Sequence, residues 1–397
     1  MSLARRLLVL VSVVIIAACG GGGTDSLGGG GGGGGGTGRT ADEGAKLDFV
    51  TAMGTQMNGW RALPRAQRHA NLVAWAKANP LVQDAGVEPS TDNVWVLFKD
   101  GDGTMYIDNR TPSPAPIASR GLSQVRKNDV PGAVKATTIW SLEAGQFEDV
   151  TEGIRLDLNN YGYAATRLVD PTLEQLRSAV NGSGVLFWQA HSGICRDNFN
   201  GQIRTRYAIN IGMPATIELG QGAYKPYREA GELFIAGREI TKPDGTTETI
   251  RVYAISDLFI SRHLSMAPNA LVAMDSCTSN AAPLRTAFQT ANAGTYVGWS
   301  ALAGFSSGQR FQLMFDRLLG VNLEPPMSSP PERPFDIDAV EFWMQDKGYN
   351  LDPSPNSIAQ LQWSYKAGFK SLILRPTIAR AIFEARDNQN NFTKYLI

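Results

Sequence analysis

The sequence predicts an α/β protein with a mostly parallel sheet sandwiched between helices. Two short segments, residues 185–193 and 270–277, carry this prediction because each opens with an apolar run that is continuous rather than alternating. A strand that is buried on both faces of a parallel sheet has this pattern. Polar and turn residues bound both runs, and each run leads into a reactive side chain, His191 or Cys277.

Shorter patterned segments supply the other elements of this sheet. Further strands are predicted at 135–142, 164–169 and 294–300. Helices are predicted at 147–161, 284–291, 310–319 and 337–346, so that the chain is expected to be helical beyond Gly308. Asp170, Pro171 and Thr172 are predicted to open another helix, since Pro suits the first helical turn and Thr suits a cap.

A long insertion separates the two apolar runs. Residues 232–240 and 247–254 alternate well enough to predict a hairpin around a turn at 242–245. Ser256 is predicted to cap a short helix that runs through His263. Two interpretations of the insertion stay open: it borders a substrate cleft, or it is a surface addition without a role in the site.

The residues before the sheet, 44–110, form a predicted small α+β unit. Its elements are a helical segment with proline breaks, a strand, a turn and a return strand, at 47–78, 94–98, 100–103 and 104–107. A proline-rich stretch, 111–133, follows as a stiff linker. We interpret the unit as an accessory domain or pro-domain; the alternative is an extra layer of one larger domain.

The amino terminus has the pattern of a bacterial lipoprotein signal peptide. Residues 1–18 combine a basic start with an apolar stretch too short to span a bilayer comfortably as a lone helix. The segment that ends at Cys19 resembles a lipobox, so cleavage would leave Cys19 to carry lipid chains such as palmitate. The alternative is an ordinary signal peptide with an incidental cysteine. The Gly-rich residues 19–43 are predicted to be a flexible tether, and Gly20 in place of Asp favours an outer-membrane anchor.

Composition excludes several classes of protein. The formal net charge is +0, from 37 basic and 37 acidic residues, and 43% of residues are hydrophobic. Without a basic face, nucleic acid is not expected as a partner. Three cysteines are too few for a disulfide scaffold. Neither a metal nor another cofactor is expected.

His191 and Cys277 form the candidate catalytic pair, although they lie 86 residues apart in the chain. Binding sites of open α/β sheets lie beyond the carboxyl ends of the strands, where both residues are expected. A thiol beside an imidazole is the minimum machinery of a cysteine nucleophile. For either residue alone, the alternative is a hydrogen-bonded histidine at a strand end or a buried thiol.

The two motifs also resemble a known superfamily. Residues 275–279, Asp-Ser-Cys-Thr-Ser, resemble the metacaspase motif around the nucleophile, Asp-Ser-Cys-x-Ser-Gly. The apolar run before His191 is similar to the strand that leads into His-Gly in the same superfamily. On these motifs about half of the chain resembles the caspase–gingipain–metacaspase cysteine peptidases. Two departures are that Ser192 precedes Gly193 and that Asn280 replaces the last glycine.

The resemblance implies a caspase-like peptidase core at 134–325 and a helical extension at 326–397. It implies Cys277 as the nucleophile, His191 as the acid for the leaving amine, and the amides of Cys277 and Gly193 as oxyanion donors. We therefore expect a cysteine endopeptidase that acts on protein or peptide and is lipid-anchored in the bacterial cell envelope. The alternatives are a catalytically inactive caspase-like lipoprotein that binds a partner, and an envelope binding lipoprotein of unrelated α/β fold.

Specificity is implied by the residue two positions before the nucleophile. In metacaspases this carboxylate lines the pocket for a basic P1 side chain, which assigns Asp275 to a pocket for Arg or Lys. The alternative is that Asp275 hydrogen-bonds nearby backbone. A basic preference would make Arg120, Arg126 and Lys127 candidate self-cleavage sites just past the linker.

The remaining cysteine and histidines are given structural roles. Cys195 is interpreted as an inert thiol in a loop. A disulfide with Cys277, or a zinc site with His191 and Cys277, are the alternatives. His69 and His263 are interpreted as surface residues because polar or basic neighbours flank them.

Overall fold

The computed structural model describes residues 14–18, 43–88, 93–108, 131–143, 147–241, 247–321, 337–355 and 357–369. The sequence predictions that lie outside the described residues concern positions 1–13, Cys19 and most of the tether, the 242–245 turn, Arg120, Arg126 and Lys127, and the chain after residue 369.

The described residues form fourteen strands and ten helices. The strands are β1 (Val14–Ala18), β2 (Val82–Glu88), β3 (Asn93–Phe98), β4 (Gly103–Asp108), β5 (Lys135–Ser141), β6 (Ala164–Val169), β7 (Val185–Ala190), β8 (Ser192–Phe199), β9 (Gln202–Pro214), β10 (Leu233–Thr241), β11 (Thr247–Ser256), β12 (Ala270–Asp275), β13 (Ala293–Trp299) and β14 (Leu361–Tyr365). The helices are α1 (Glu43–Gly59), α2 (Arg65–Lys77), α3 (Thr151–Asn160), α4 (Leu173–Val180), α5 (Ile217–Gln221), α6 (Lys225–Glu229), α7 (Asp257–His263), α8 (Ala282–Thr290), α9 (Gly308–Leu319) and α10 (Ile337–Asp346). Within the described ranges, none of these helices joins enough length to enough apolar character to cross a membrane.

A six-stranded sheet in the order β14-β13-β12-β7-β5-β6 holds the two apolar runs. Five of its strands are parallel, and β14 pairs antiparallel with β13 at one edge. Helices α4 and α8 pack on one face, and α3 and α9 pack on the other. The predicted α/β class, with a mostly parallel sheet between helices, is therefore confirmed.

The continuous apolar pattern of β7 and β12 follows from this two-sided cover. Every residue of both strands is buried. Leu186 and Trp188 join the core formed with α4 and α8, whereas Val185 and Phe187 join the core formed with α3 and α9. Alternate side chains of a strand point to opposite faces, so a strand covered on both faces carries apolar residues at successive positions. The polar exceptions, Gln189 and Asp275, bond to each other.

The other eight strands form one antiparallel sheet in the order β2-β3-β4-β1-β10-β11-β9-β8. This sheet joins the 44–110 unit to the insertion, because β1 pairs with β4 on one side and with β10 on the other. Strand β1 overlaps the end of the predicted signal peptide. The predicted hairpin is confirmed in β10 and β11, whereas the sequence reasoning misses the β8–β9 hairpin that directly follows His191.

The eight-stranded sheet curls until β8 reaches the turn between β3 and β4. The backbone N–H of Asn198 donates to the carbonyl oxygen of Gly101 at 2.6 Å. At Gly103 a Cβ atom would lie 1.5 Å from the carbonyl oxygen of Arg196, so only glycine fits this approach. The Arg196 guanidinium stacks 4.5 Å from the centre of the Trp95 ring. These contacts fix the 44–110 unit against the hairpin that begins at the candidate site.

Two sequence predictions of local structure are wrong. Helix α3 begins at Thr151 rather than residue 147, because Asp149 accepts hydrogen bonds from the Thr151 backbone N–H at 2.9 Å and from its hydroxyl at 2.6 Å. The chain beyond Gly308 is not helical throughout, because β14 completes the six-stranded sheet there. Alternate burial of Leu361 and Trp363 marks β14 as an edge strand.

Candidate active site

His191 and Cys277 lie at equivalent positions on neighbouring strands. Strands β7 and β12 are adjacent and parallel, and their register places Gln189 opposite Asp275. His191 and Cys277 each follow two residues later, at the carboxyl edge of the sheet. The Ser192 hydroxyl donates to the carbonyl oxygen of Cys277 at 2.6 Å, which ties the two strand ends together. The fold thus brings the sequence-predicted pair to one place.

A third polar side chain, Glu143, stands behind the imidazole. Glu143 follows β5, the strand that flanks β7 on the side away from β12. Its carboxylate accepts the Nε2–H of His191 at 2.8 Å, with 3% of Glu143 and 2% of His191 exposed. Because Nε2 is engaged, Nδ1 is the nitrogen left to exchange a proton with a thiol. The sequence reasoning misses Glu143, and its only signal is an acidic residue directly after the strand predicted at 135–142.

The Cys277 thiol is buried and protonated. Only 5% of Cys277 is exposed, and its thiol donates to the carbonyl oxygen of Ala303 at 3.6 Å. Burial raises the pKa of the thiol to about 12, and the nearby carboxylates of Asp275 and Asp352 add to the increase. A thiol with this pKa is a weak nucleophile at neutral pH, so the described arrangement is a closed one.

Residues 301–307, which we name the cover loop, enclose the thiol. Phe305 of this loop packs on Phe147 at a centroid distance of 4.7 Å, and Phe147 meets the His191 ring edge-on at 5.1 Å. The backbone N–H of Glu148 donates to the carbonyl oxygen of Phe305 at 3.3 Å. The non-helical segment before α3 and the cover loop therefore close over the pair together.

The segment before β14 holds the cover loop in place. Asp352 accepts the backbone N–H of Gly304 at 2.6 Å, and the Ser354 hydroxyl accepts the N–H of Ser306 at 3.2 Å. The Ser357 hydroxyl donates to the carbonyl oxygen of Leu302 at 3.3 Å. Asp352 thus has two effects on the site, since it anchors the cover loop and its charge raises the pKa of the thiol.

The turn after the nucleophile is strained. Thr278 has a φ of +49°, a left-handed conformation that β-branched residues rarely adopt. Such strain costs on the order of 1–3 kcal/mol. Its backbone N–H donates to the carbonyl oxygen of Ala301 at 2.8 Å, and its hydroxyl donates to the carbonyl oxygen of Cys277 at 2.8 Å. Hydrogen bonds contribute about 0.5–1.5 kcal/mol each, so these contacts are large enough to offset the strain.

The carboxylate of Asp275 is fully engaged by side chains of the protein. Its Oδ1 accepts Trp299 Nε1 at 2.7 Å and Ser307 Oγ at 2.6 Å, and its Oδ2 accepts Gln189 Nε2 at 2.8 Å. Burial raises the pKa of Asp275 to about 6, against the opposing effect of these three donors. The sequence left open a pocket residue or a carboxylate hydrogen-bonded to nearby backbone; the described donors to Asp275 are instead three side chains.

The two expected oxyanion donors differ in their surroundings. Gly193 is buried in β8, opposite Ala208 of β9, so it belongs to a ladder rather than to a loop. The backbone N–H of Cys277 interacts with the residue's own thiol and works against the increase in pKa.

Cys195 and two histidines differ from the sequence interpretation. Cys195 lies in β8 rather than in a loop, fully buried in the apolar cluster that also contains Cys277, and no disulfide joins these two described cysteines. His69 is 1% exposed, so its assignment to the surface is wrong. His263 is half-buried and bonds Glu232 at 2.7 Å. Across the described ranges no three His, Cys, Asp or Glu side chains are grouped to hold a metal ion.

Comparisons with models of known protein families, with curated proteins and with solved structures give no match for this chain.

Proposed function

We propose that this chain is a cysteine endopeptidase with a caspase-like core, in which His191 and Cys277 cleave peptide bonds. The observation that carries the proposal is the arrangement of three residues beyond adjacent strands. Glu143, His191 and Cys277 follow β5, β7 and β12, with the carboxylate on Nε2 of the imidazole. Carboxylate, imidazole and thiol in this order form the nucleophile, base and orienting group of covalent catalysis.

The proposed reaction proceeds in two stages. Nδ1 of His191 takes the thiol proton, and the Cys277 thiolate attacks the scissile carbonyl carbon. The carbon–nitrogen bond then breaks, the imidazolium gives its proton to the leaving amine, and a thioester remains. Water, deprotonated by His191, hydrolyses the thioester and restores the thiol. The amides of Cys277 and Gly193 are the proposed donors to the oxyanion, and no cofactor takes part in these steps.

The closed arrangement implies that substrate must displace the cover loop. A peptide cannot reach a thiol that is buried beneath Ala303 and Phe305 unless this loop moves. Peptidase lids that exclude water and complete a site on substrate binding behave in this way. In the proposal, the described form is the latent enzyme.

The same closure favours a second candidate, a catalytically inactive caspase-like lipoprotein that binds a partner. A thiol whose pKa lies at about 12 has little thiolate at neutral pH. The two candidates differ in one property only, namely whether the thiol becomes accessible when a peptide is bound.

Specificity and location complete the proposal. We assign a basic P1 preference to the region of Asp275, provided that an incoming guanidinium replaces one of the three present donors. We also propose that residues 44–110 act as an accessory domain or pro-domain. We also propose that residues 1–18 are removed and that Cys19 is lipidated, which would anchor the protein in the bacterial cell envelope, at the outer membrane. This cleavage would also remove β1 from its place between β4 and β10 in the eight-stranded sheet.

The test is a peptide-library cleavage assay on the wild-type protein beside Cys277→Ala and Cys195→Ala. Cys195 is the matched control because it is an equally buried thiol in the same apolar cluster. We expect cleavage by the wild type and by Cys195→Ala, and none by Cys277→Ala. Equal turnover in all three would refute the peptidase assignment, and binding without cleavage would support the second candidate. A preference for acidic or apolar P1 residues would eliminate the assigned role of Asp275.

A further inference from the structure

Tyr207 lies in the β8–β9 hairpin, which the sequence motifs do not cover. It stands opposite Ile194 in the ladder and is fully buried. Its backbone N–H donates at 3.0 Å to Oδ1 of Asp257, the first residue of α7. The strand pairing and the start of a helix thus both hold the tyrosine backbone.

The Tyr207 hydroxyl is the centre of a buried cluster around the nucleophile's own carbonyl group. It donates to the carbonyl oxygen of Cys277 and contacts the Thr278 hydroxyl. The Ser192 hydroxyl lies 3.4 Å away and donates to the same carbonyl oxygen at 2.6 Å. Burial raises the pKa of Tyr207 above its ordinary value, so the phenol keeps its proton at neutral pH.

This cluster fixes the peptide unit between Cys277 and Thr278 from one side. The opposite side of the same unit is fixed as well, because the Thr278 N–H donates to the carbonyl oxygen of Ala301 at 2.8 Å. With both ends held, Thr278 keeps its φ of +49° and the chain leaves β12 in a defined direction. The direction of the Cys277 side chain depends on that backbone, since a flipped peptide would redirect the thiol at the sheet edge that it shares with His191.

We propose that Tyr207 is a positioning residue for the Cys277 nucleophile, acting through the carbonyl group of Cys277. The inference rests on the proposed function for its meaning in turnover. It also assigns a role to the β8–β9 hairpin, which lies between His191 and Cys277 in the chain and delivers one side chain back to the nucleophile.

Tyr296 provides a matched control. It is also fully buried, and its hydroxyl donates at 2.6 Å to the carbonyl oxygen of Ser279, two residues after the nucleophile in the same turn. Replacement of either tyrosine by phenylalanine removes one hydroxyl without opening a cavity. The two variants lose similar hydrogen bonds and differ in which carbonyl group is released.

The experiment measures kcat, KM, thermal midpoint and the pH dependence of iodoacetamide alkylation at Cys277, the last by mass spectrometry of its peptide. For Tyr207→Phe we expect kcat to fall roughly tenfold, the equivalent of one lost hydrogen bond. KM should stay unchanged, and the pH dependence of alkylation at Cys277 should shift. Tyr296→Phe should keep both kcat and the profile while its thermal midpoint falls comparably.

The comparison with Tyr296→Phe distinguishes positioning from a general loss of structure, because the two variants should lose similar stability and differ only in kcat and in alkylation. Equal kcat and alkylation in Tyr207→Phe and Tyr296→Phe would overturn the inference. If wild type and Cys277→Ala both fail to cleave, the proposed function fails, and the alkylation comparison still decides the role of Tyr207.

Discussion

Glu143 gives the sharpest test of the proposed mechanism, because sequence motifs did not select it and the geometry did. The perturbation is Glu143→Gln, which removes the negative charge but keeps an oxygen that can accept the Nε2–H of His191. The two side chains meet at 2.8 Å, and both are almost fully buried. A hydrogen bond to a charged group contributes about 1.5–3 kcal/mol. The neutral hydrogen bond that Gln keeps contributes about 0.5–1.5 kcal/mol, so removal of the charge should cost about 1–1.5 kcal/mol and reduce kcat/KM roughly 5- to 13-fold.

The assay is steady-state cleavage of the best peptide from the library, with kcat and KM separated. The loss is expected in kcat, because Glu143 lies behind the imidazole and away from substrate. Glu148→Gln is the control, since this exposed carboxylate lies in the same segment and bonds Gln309 at 2.7 Å. Glu143→Ala should cost more than Glu143→Gln, because it leaves a buried ring nitrogen without this partner, at about 1–3 kcal/mol of stability. If Glu143→Gln and Glu148→Gln both match wild type, Glu143 does not orient the base.

Three further predictions concern the cover loop, the buried carboxyl groups and the cap of helix α4. Asp352→Asn should lower the pKa of the Cys277 thiol, because the carboxylate raises it; faster alkylation at pH 8 is expected, and an unchanged rate would contradict it. The pKa of Asp275 rises from 3.8 to about 6 on folding. The protonated carboxyl group therefore stabilises the folded protein by up to about 3 kcal/mol below pH 4, and this stabilisation is lost as the pH rises through 6. Burial also raises the pKa of Asp102 to about 6, so part of the loss of stability with rising pH should remain in Asp275→Asn. In urea unfolding, the free energy of unfolding of this variant should fall less than that of wild type as the pH rises from 4 through 6, and an equal fall would contradict the prediction. Thr172→Ala should destabilise the protein by about 1 kcal/mol through loss of its capping box while leaving turnover intact; a lower kcat would link α4 to the site.

The parallel sheet is well predicted from the sequence, because burial on both faces gives a strand a continuous apolar pattern over a few adjacent residues. Strands β7 and β12 are continuous apolar runs, and β6 ends as predicted at Val169, before a helix capped by Thr172. Ser256 likewise caps α7 by accepting the N–H of Phe259 at 3.3 Å. These features depend on a few adjacent residues, so they are readable without knowledge of the fold.

The β8–β9 hairpin has no such apolar pattern in its sequence. Its strands carry charged residues that are satisfied across the pair, as where Arg204 binds Asp197 with its guanidinium. Cross-strand partners stabilise a sheet but produce no apolar alternation. The sequence therefore predicts a loop at Cys195, although β8 buries it completely. Tyr207 could not be selected for the same reason, since its function depends on a strand pairing that the local pattern does not show.

In the candidate site, too, the features that depend on adjacent residues are predictable from the sequence, and those that depend on long-range contacts are not. The sequence brings His191 and Cys277 to one sheet edge, because strand ends are local features and adjacent parallel strands share an edge. The partner Glu143 comes from β5 and is recognised only when the strand order is known. The closure of the site is still less accessible to sequence reasoning, because Asp352 holds Gly304 from 48 residues away.

Closure sets the main energetic demand on the proposed enzyme. Burial raises the pKa of the Cys277 thiol from its ordinary value of 9.0 to about 12. The difference corresponds to a thiolate population about a thousandfold lower, or about 4 kcal/mol. Most of that increase comes from burial, so hydration of the thiol when the cover loop opens removes it. Peptide binding at sites away from the scissile bond is the available source of that energy, and binding energy used in this way appears in kcat rather than in KM. Short peptides should therefore be poor substrates even when their P1 residue is correct, because they contact too little of the enzyme to open the loop.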